Sequence, residues 1–133
     1  MTNNAAIAIG NGAITPITFG IARFDPFLMH SVTKIIIPRT GNYNVGGCIE
    51  FAAAGGGYRQ IGVRRNGTTF VVQTTQAPTG VADQLNVACD WQFTAGDYIE
   101  LVVVQNSGGP LNVNAVGDYT PEFWCCRVFD QPV

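Results

Sequence analysis

The chain holds few residues that could do covalent chemistry: one histidine, His30, two serines, Ser31 and Ser107, and four cysteines. An acyl-transfer triad needs a nucleophile, a base and an orienting group within hydrogen-bond reach of one another. His30 and Ser31 are neighbours, yet no third group stands at a spacing that forces it toward them, so a loop histidine bonded to backbone or water is the simpler reading. Glycoside hydrolysis needs two converging carboxylates. Glu50, Asp90, Asp97, Glu100, Asp118 and Glu122 show no spacing that brings a pair together, which leaves solvated or turn-capping roles. Asp97, directly after Gly96, is predicted to make an Asx-type turn bond.

Metal and phosphate chemistry find no better footing. Cys48, Cys89, Cys125 and Cys126 contain no CxxC pair and no Cys/His grouping of zinc type, and no Asp-rich loop offers the six to eight oxygens calcium takes. Gly55-Gly56-Gly57 lacks the Lys and Ser or Thr that complete a phosphate loop. Buried free thiols are the expectation for the cysteines, with Cys125 and Cys126 on opposite faces of a strand. The chain is therefore expected to have no catalytic residues, no metal and no cofactor.

Binding is the other way a surface can act. Arg64 and Arg65, with Arg59 and Tyr58 close by in sequence, form the one basic cluster: either a solvated hairpin end or a contact for an acidic patch or anionic glycan. Asn66-Gly67-Thr68 matches a glycosylation acceptor, but no secretory signal accompanies it. Tyr58, Tyr98, Tyr119 and Trp124 are candidate exposed or interface aromatics, with core packing an equal option for Trp124.

The composition says what scaffold carries these residues. At 133 residues the chain suits one domain with a single core. Only 12% of residues are charged, 47% are hydrophobic and 16 are glycines, which points to strands and turns with a polar-neutral surface. A formal charge of −2 supplies no field for a phosphate backbone, so nucleic acid is not an expected partner. The longest aliphatic run, residues 101–104, is far shorter than a membrane span, and the expected product is made in the cytoplasm without a signal peptide.

Strand signals fill the chain. Tyr43, Val45, Gly47, Ile49 and Phe51 alternate with polar or small residues, as do Leu85, Val87, Cys89, Trp91 and Phe93. Asn66-Gly67 between two β-rich runs predicts a hairpin. Residues 32–38, 111–116 and 123–129 read as further strands, and no segment has a capped helical period. In the stretch FTAGDYIELVVVQ, residues 93–105, a turn at Gly96-Asp97 feeds a strand that is apolar on both sides. Ile99, Leu101 and Val103 are expected to fill a core, while Tyr98, Val102 and Val104 need cover from elsewhere. Residues 1–18 form either an N-terminal arm or a first strand ahead of a domain spanning 19–133. Eight to ten short strands make an all-β sandwich or jelly roll.

The order of landmarks is more specific than the class. Pro38-x-x-Gly41-x-Tyr43 opening a strand, Asn66-Gly67 in a hairpin, Phe93-x-x-Gly96-Asp97-x-Ile99-x-Leu101, and aromatics at Phe123-Trp124 in the closing strand resemble the tumour necrosis factor and complement globular-head superfamily, over roughly residues 17–129. Cys125 and Cys126 depart from that pattern, since small residues often separate two aromatics there. The resemblance implies a jelly roll of about ten antiparallel strands, a homotrimer about a three-fold axis, and binding or assembly in place of catalysis. On that likeness Tyr98, Val102, Val104 and Trp124 are the expected trimer-interface residues. The low charge and an uncharged first segment suggest a virion structural protein, a capsid decoration protein on the virion surface. Ile7, Ile9, Ile14 and Ile17 of the arm would grip the shell. The alternative is a receptor-binding tip of a tail fibre, with a host surface glycan as partner.

Overall fold

The computed structural model describes residues 1–128; Phe129, expected at the end of the last strand, lies outside the described residues. Eleven strands run in chain order: β1 (Ile7–Ile9), β2 (Thr15–Pro16), β3 (His30–Ser31), β4 (Lys34–Ile36), β5 (Gly41–Phe51), β6 (Arg59–Arg65), β7 (Thr69–Gln76), β8 (Asp83–Phe93), β9 (Tyr98–Gln105), β10 (Leu111–Val113) and β11 (Glu122–Arg127). No helix occurs among the described residues. Every strand pair is antiparallel, and the strands form two sheets packed face to face, a jelly-roll sandwich.

The five-stranded sheet is built on β5, whose alternation sets its register. β8 pairs along its full length, from Gly41 opposite Phe93 to Phe51 opposite Asp83, while β11 and then β10 follow its other edge and β1 lies beyond β10. The six-stranded sheet is built on β9, with β6 along one edge and β4 then β2 along the other; β3 and β7 are its outermost strands. Tyr43, Val45, Ile49 and Phe51 of β5 face Ile61, Val63, Ile99, Leu101 and Val103 across a dry core, joined by Leu85, Val87, Phe93 and Phe123. Gly47 leaves room for the facing layer: a Cβ there would stand 2.6 Å from Leu101 Cδ1 of the other sheet and 2.8 Å from the Glu122 carbonyl of its own.

Two expectations are corrected. Residues 1–18 carry strands, the second of the two readings, and are not a detachable arm, because β1 pairs β10, β2 pairs β9, and Ile9 and Ile17 belong to the main core. Ile7 packs against that core, and only Ile14 of the four isoleucines is largely exposed. Finally, Val102 and Val104 are 1% and 5% exposed within the single chain, so covering them requires no second copy. They lie outside the main core, on the far side of β9; Val102 is in register with Gly62, over which the Phe70 ring sits.

Candidate functional site

The hairpin end between β6 and β7 holds Arg64 and Arg65, two of the four residues marked for binding. Asn66 and Gly67 have φ of 51° and 74°, the left-handed conformation that this dipeptide accommodates, and the loop spans residues 66–68 because Arg65 pairs with Thr69. The Asn66 side chain ties the tip to the turn before β9: its amide donates to Asp97 Oδ1 at 2.8 Å, and its carbonyl oxygen accepts from the Tyr98 N–H at 3.0 Å. Asp97 Oδ2 also accepts from the Thr94 N–H at 2.9 Å, a bond back to the residue three before it in place of the expected Asx-type bond to the residue two after it. The Asn66 amide first, and the Thr94 N–H second, hold the Asp97 carboxyl below the usual carboxylate range.

The basic cluster is not one patch. Arg64 is committed to the buried Glu100 carboxylate, with Nη2 to Oε2 at 3.1 Å, and Lys34 Nζ stands 4.1 Å over the Tyr98 ring. Arg65 is half-buried beside them. Arg59, expected at the surface, is fully buried at the other end of β6, roughly 20 Å away at a strand's rise per residue. Its guanidinium donates to the carbonyls of Ala54, Gly56 and Tyr58, at 2.9, 3.1 and 3.1 Å. Arg59 Nε also stands 3.9 Å from Asp83 Oδ2 with no hydrogen bond at either atom. The signal was present: Arg59 shares strand parity with Ile61 and Val63 and so points inward. Tyr58 is partly exposed in the adjoining loop.

The four trimer-interface candidates do not share a face. Tyr98, Val102 and Val104 lie on the outer side of the six-stranded sheet, whereas Trp124 lies on the outer side of the five-stranded sheet, opposite Gly46 of β5. There its indole covers Gly46, and Nε1 donates to Asn44 Oδ1 at 3.1 Å; the Asn44 amide donates in turn to Asp90 Oδ1 at 2.9 Å. Val102 and Val104 are already covered within the chain, so of the four only Tyr98 and Trp124 keep part of their surface in solvent, and they do so on opposite sheets.

Two surface features lie outside the residues marked for binding. The first is the loop 22–29 ahead of β3, where Phe24, Phe27 and Leu28 are 88%, 74% and 87% exposed. Its backbone is fixed: the Leu28 N–H donates to the Asp25 carbonyl, and the Asp25 carboxylate accepts from the Met29 and His30 amides at 2.7 and 2.9 Å. Leu28 sits at φ 53°, uncommon for a bulky residue. The visible clue was apolar residues on both sides of the Asp25-Pro26 turn. The second is the end of the sandwich formed by loops 10–14, 52–58, 77–82 and 106–110, none of which contains an ionisable Asp, Glu, Lys, Arg or His. Side chains tie these loops together: the Gly108 N–H donates to Asn11 Oδ1, the buried Gln105 amide donates to Ile9 and Gly109 carbonyls, and Asp83 Oδ1 accepts from Thr79.

Catalytic geometry does not assemble among the described residues. The His30 backbone N–H is spoken for by Asp25, its Nε2 is buried without a hydrogen-bond partner, and neighbouring Ser31 is exposed. No group of three or more His, Cys, Asp or Glu side chains could hold a metal ion among those residues. The four cysteines are free. Burial, with Cys126 as a lesser cause, pushes the Cys125 thiol up to about 12, and burial also raises Cys48 and Cys89.

Neither a protein-family model nor a curated protein matches the sequence. Solved structures do match. The tumour necrosis factor Eiger from S. frugiperda superposes over 99% of this chain and 90% of its own, with TM-score 0.66 at 16% identity. The fold is that of the tumour necrosis factor jelly rolls. Murine APRIL gives TM-scores of 0.64 at both pH 5.0 and pH 8.0, with 14% and 12% identity, over 95% and 93% of this chain and 100% and 98% of its own. The TNF-like likeness spans all the landmarks from Pro38 to Trp124, and β1 and β2 belong to it as well.

Proposed function

We propose that this chain is a non-enzymatic virion structural protein, a homotrimer that decorates the outer surface of a capsid. The observation that carries the reading is a TNF-like sandwich whose one end is an uncharged, cross-tied set of loops exposing Ile14 and Val81, a surface that calls for protein cover. With Ile9 and Ile17 in the core, an isoleucine arm no longer serves as the grip. The uncharged loop end takes that role: Ile14 and Val81 are exposed there, and its cross-tied loops would lose little entropy on docking to a shell.

The test is co-sedimentation with undecorated capsids. Val81→Asp is expected to abolish capsid binding while leaving the chain folded and its oligomeric state unchanged. Unaltered binding by that variant, together with unaltered binding by Ile14→Asp, would contradict the capsid reading at this end. The tail-fibre alternative retains one specific support, the half-exposed Trp124 beside Asn44 and Asp90, a pairing suited to stacking and hydrogen bonding a sugar. A glycan array separates the two: reproducible binding that Trp124→Ala removes favours the tip.

A further inference from the structure

The side of the five-stranded sheet that points away from the core is lined by amides. Outward positions of β5 and β8 pair in rows: Asn42 with Gln92, Asn44 with Asp90, and Gly46 with Ala88. Such rows repeat about every 7 Å along a strand. The next row, Cys48 with Asn86, borders a depression of about 40 Å³ that Gln84 and Tyr119 also line, and the Cys48 thiol donates to the Tyr119 carbonyl at 2.9 Å. Four rows make a ledge roughly 20 Å long. Among the described residues, the outward side chains of β5, β8 and β11 include Glu50, Asp90 and Glu122 but no Lys or Arg.

Trp124 stands at the middle of this ledge, in register with Gly46. The Nε1–Cε2–Cζ2 edge of its indole lies along β5: a Cβ at Gly46 would collide with the ring, 2.8 Å from Cε2, and Nε1 donates to Asn44 Oδ1 at 3.1 Å. Ala88, exposed at the other end of that row, puts only a methyl group beside it. The part of the ring left in solvent therefore offers apolar π surface and no donor. Polar groups are set around it. The Asn44 amide donates to Asp90 Oδ1 at 2.9 Å, which leaves the second oxygen of exposed Asp90 available as an acceptor. Asn42, Asn86 and Gln92 are exposed amides, each with donors and an acceptor to offer.

We propose that this ledge binds an extended neutral oligosaccharide, with one sugar ring stacked on Trp124 and its hydroxyls shared among Asn44, Asp90 and the neighbouring amides. A sugar has the matching chemistry: the C–H groups on a ring face meet the negative π surface of an indole, and the hydroxyls around it both donate and accept. Charge selects the class. With carboxylates and no cation among the outward side chains, an anionic glycan or a phosphate backbone is repelled. At the margins Arg23 pairs with Glu122 at 3.6 Å, and Arg127, of inward parity, lies against Gly41. The site is carried on paired strands, so little ordering is left to be done when a ligand docks. The inference rests on the sugar-binding alternative above and names its ligand class and extent. Arg64 and Arg65, the candidates for an anionic glycan, lie on the other sheet.

The test is a glycan array probed with the full chain. It carries neutral gluco-, manno- and galacto-oligosaccharides beside sialylated and sulfated counterparts, and the neutral ones are also titrated calorimetrically in solution. Wild type is expected to bind neutral members reproducibly, more tightly as they lengthen along the ledge. Trp124→Ala is expected to weaken binding about tenfold or more, and Trp124→Phe to keep most of it, because a ring remains to stack. Ala88→Arg changes an exposed position and is expected to block the ledge in a folded chain, should circular dichroism find Trp124→Ala unfolded. No glycan bound by wild type would overturn both the inference and the sugar-binding alternative, with the capsid reading left standing. Neutral binding unchanged in Trp124→Ala and Ala88→Arg would overturn this site alone and send the sugar to another surface. Binding confined to sialylated or sulfated members would overturn the neutral class. Loss of capsid co-sedimentation in the same variants, with no glycan bound, would make the shell the occupant of this face and overturn the inference.

Discussion

Arg59→Met is the perturbation that reports most directly on how the uncharged end is held rigid. Arg59 and the Asp83 side chain are both wholly buried, and the guanidinium fixes the glycine-rich loop through three backbone carbonyls. Methionine keeps much of the side-chain length but leaves the Asp83 carboxylate without its cation and the three carbonyls without their donor. Breaking a buried pair by removing one partner costs about 3–5 kcal/mol. For a domain of this size that corresponds to a fall in Tm on the order of 10 °C or more. Asp83 Oδ1 accepts from Thr79 N and Oγ1 at 3.1 and 2.7 Å, a role an asparagine oxygen can keep, so Arg59→Met/Asp83→Asn removes the orphaned charge without opening the 77–82 loop. The double variant should therefore be more stable than Arg59→Met alone. Thermal and urea denaturation of the two single variants and the double variant complete the cycle. A single variant as stable as wild type, or a double variant no better than Arg59→Met, would refute the idea that the pair is an electrostatic clasp.

Further outcomes follow from the same geometry. Deleting residues 2–18 should prevent folding outright, because Ile9 and Ile17 leave the core and β9 loses β2; a native-like circular dichroism spectrum from that truncation would contradict the pairing. Val102→Asp should lower the stability of the isolated chain by about 3 kcal/mol or more, since it buries an unpaired charge. A melt unchanged from wild type would sink that expectation. The depressed Asp97 carboxyl contributes stability that is fully present above about pH 4, the ordinary range for the unfolded chain, and is lost as pH falls through the lower folded value. Asp97→Asn should flatten that part of the acid limb of a stability-versus-pH curve. In native thiol labelling near pH 8, exposed Cys126 should react fast and half-buried Cys125 slowly, which mass mapping of the labelled peptides can check.

The strands that lie over one face were legible because alternation encodes them directly. β5 and β8 follow their period of two, and through their backbone requirements Asn66-Gly67 marks the turn from β6 to β7 and Gly96 the turn into β9. Four matters were not legible, each for its own reason. The first 18 residues bury Ile9 and Ile17 as isolated side chains between glycine-broken segments, so no local period announces them. Val102 and Val104 are apolar on the outer side of β9, and pattern alone cannot say whether a neighbouring segment or a second copy covers them; here the chain itself does. Arg59 was grouped with Arg64 and Arg65 by proximity in sequence, yet a strand carries its two ends apart and its parity turned Arg59 inward. The apolar loop escaped for a further reason: its exposure is set by the Asp25 carboxylate capping the backbone of Met29 and His30, a tertiary detail without periodic signature.

Association of like chains is the central claim, and the mass of the intact chain in solution tests it most directly. Sedimentation equilibrium of the full 133-residue protein is expected to return three times the 14.2 kDa chain mass over a broad concentration range, and a single-chain mass throughout that range would contradict the account.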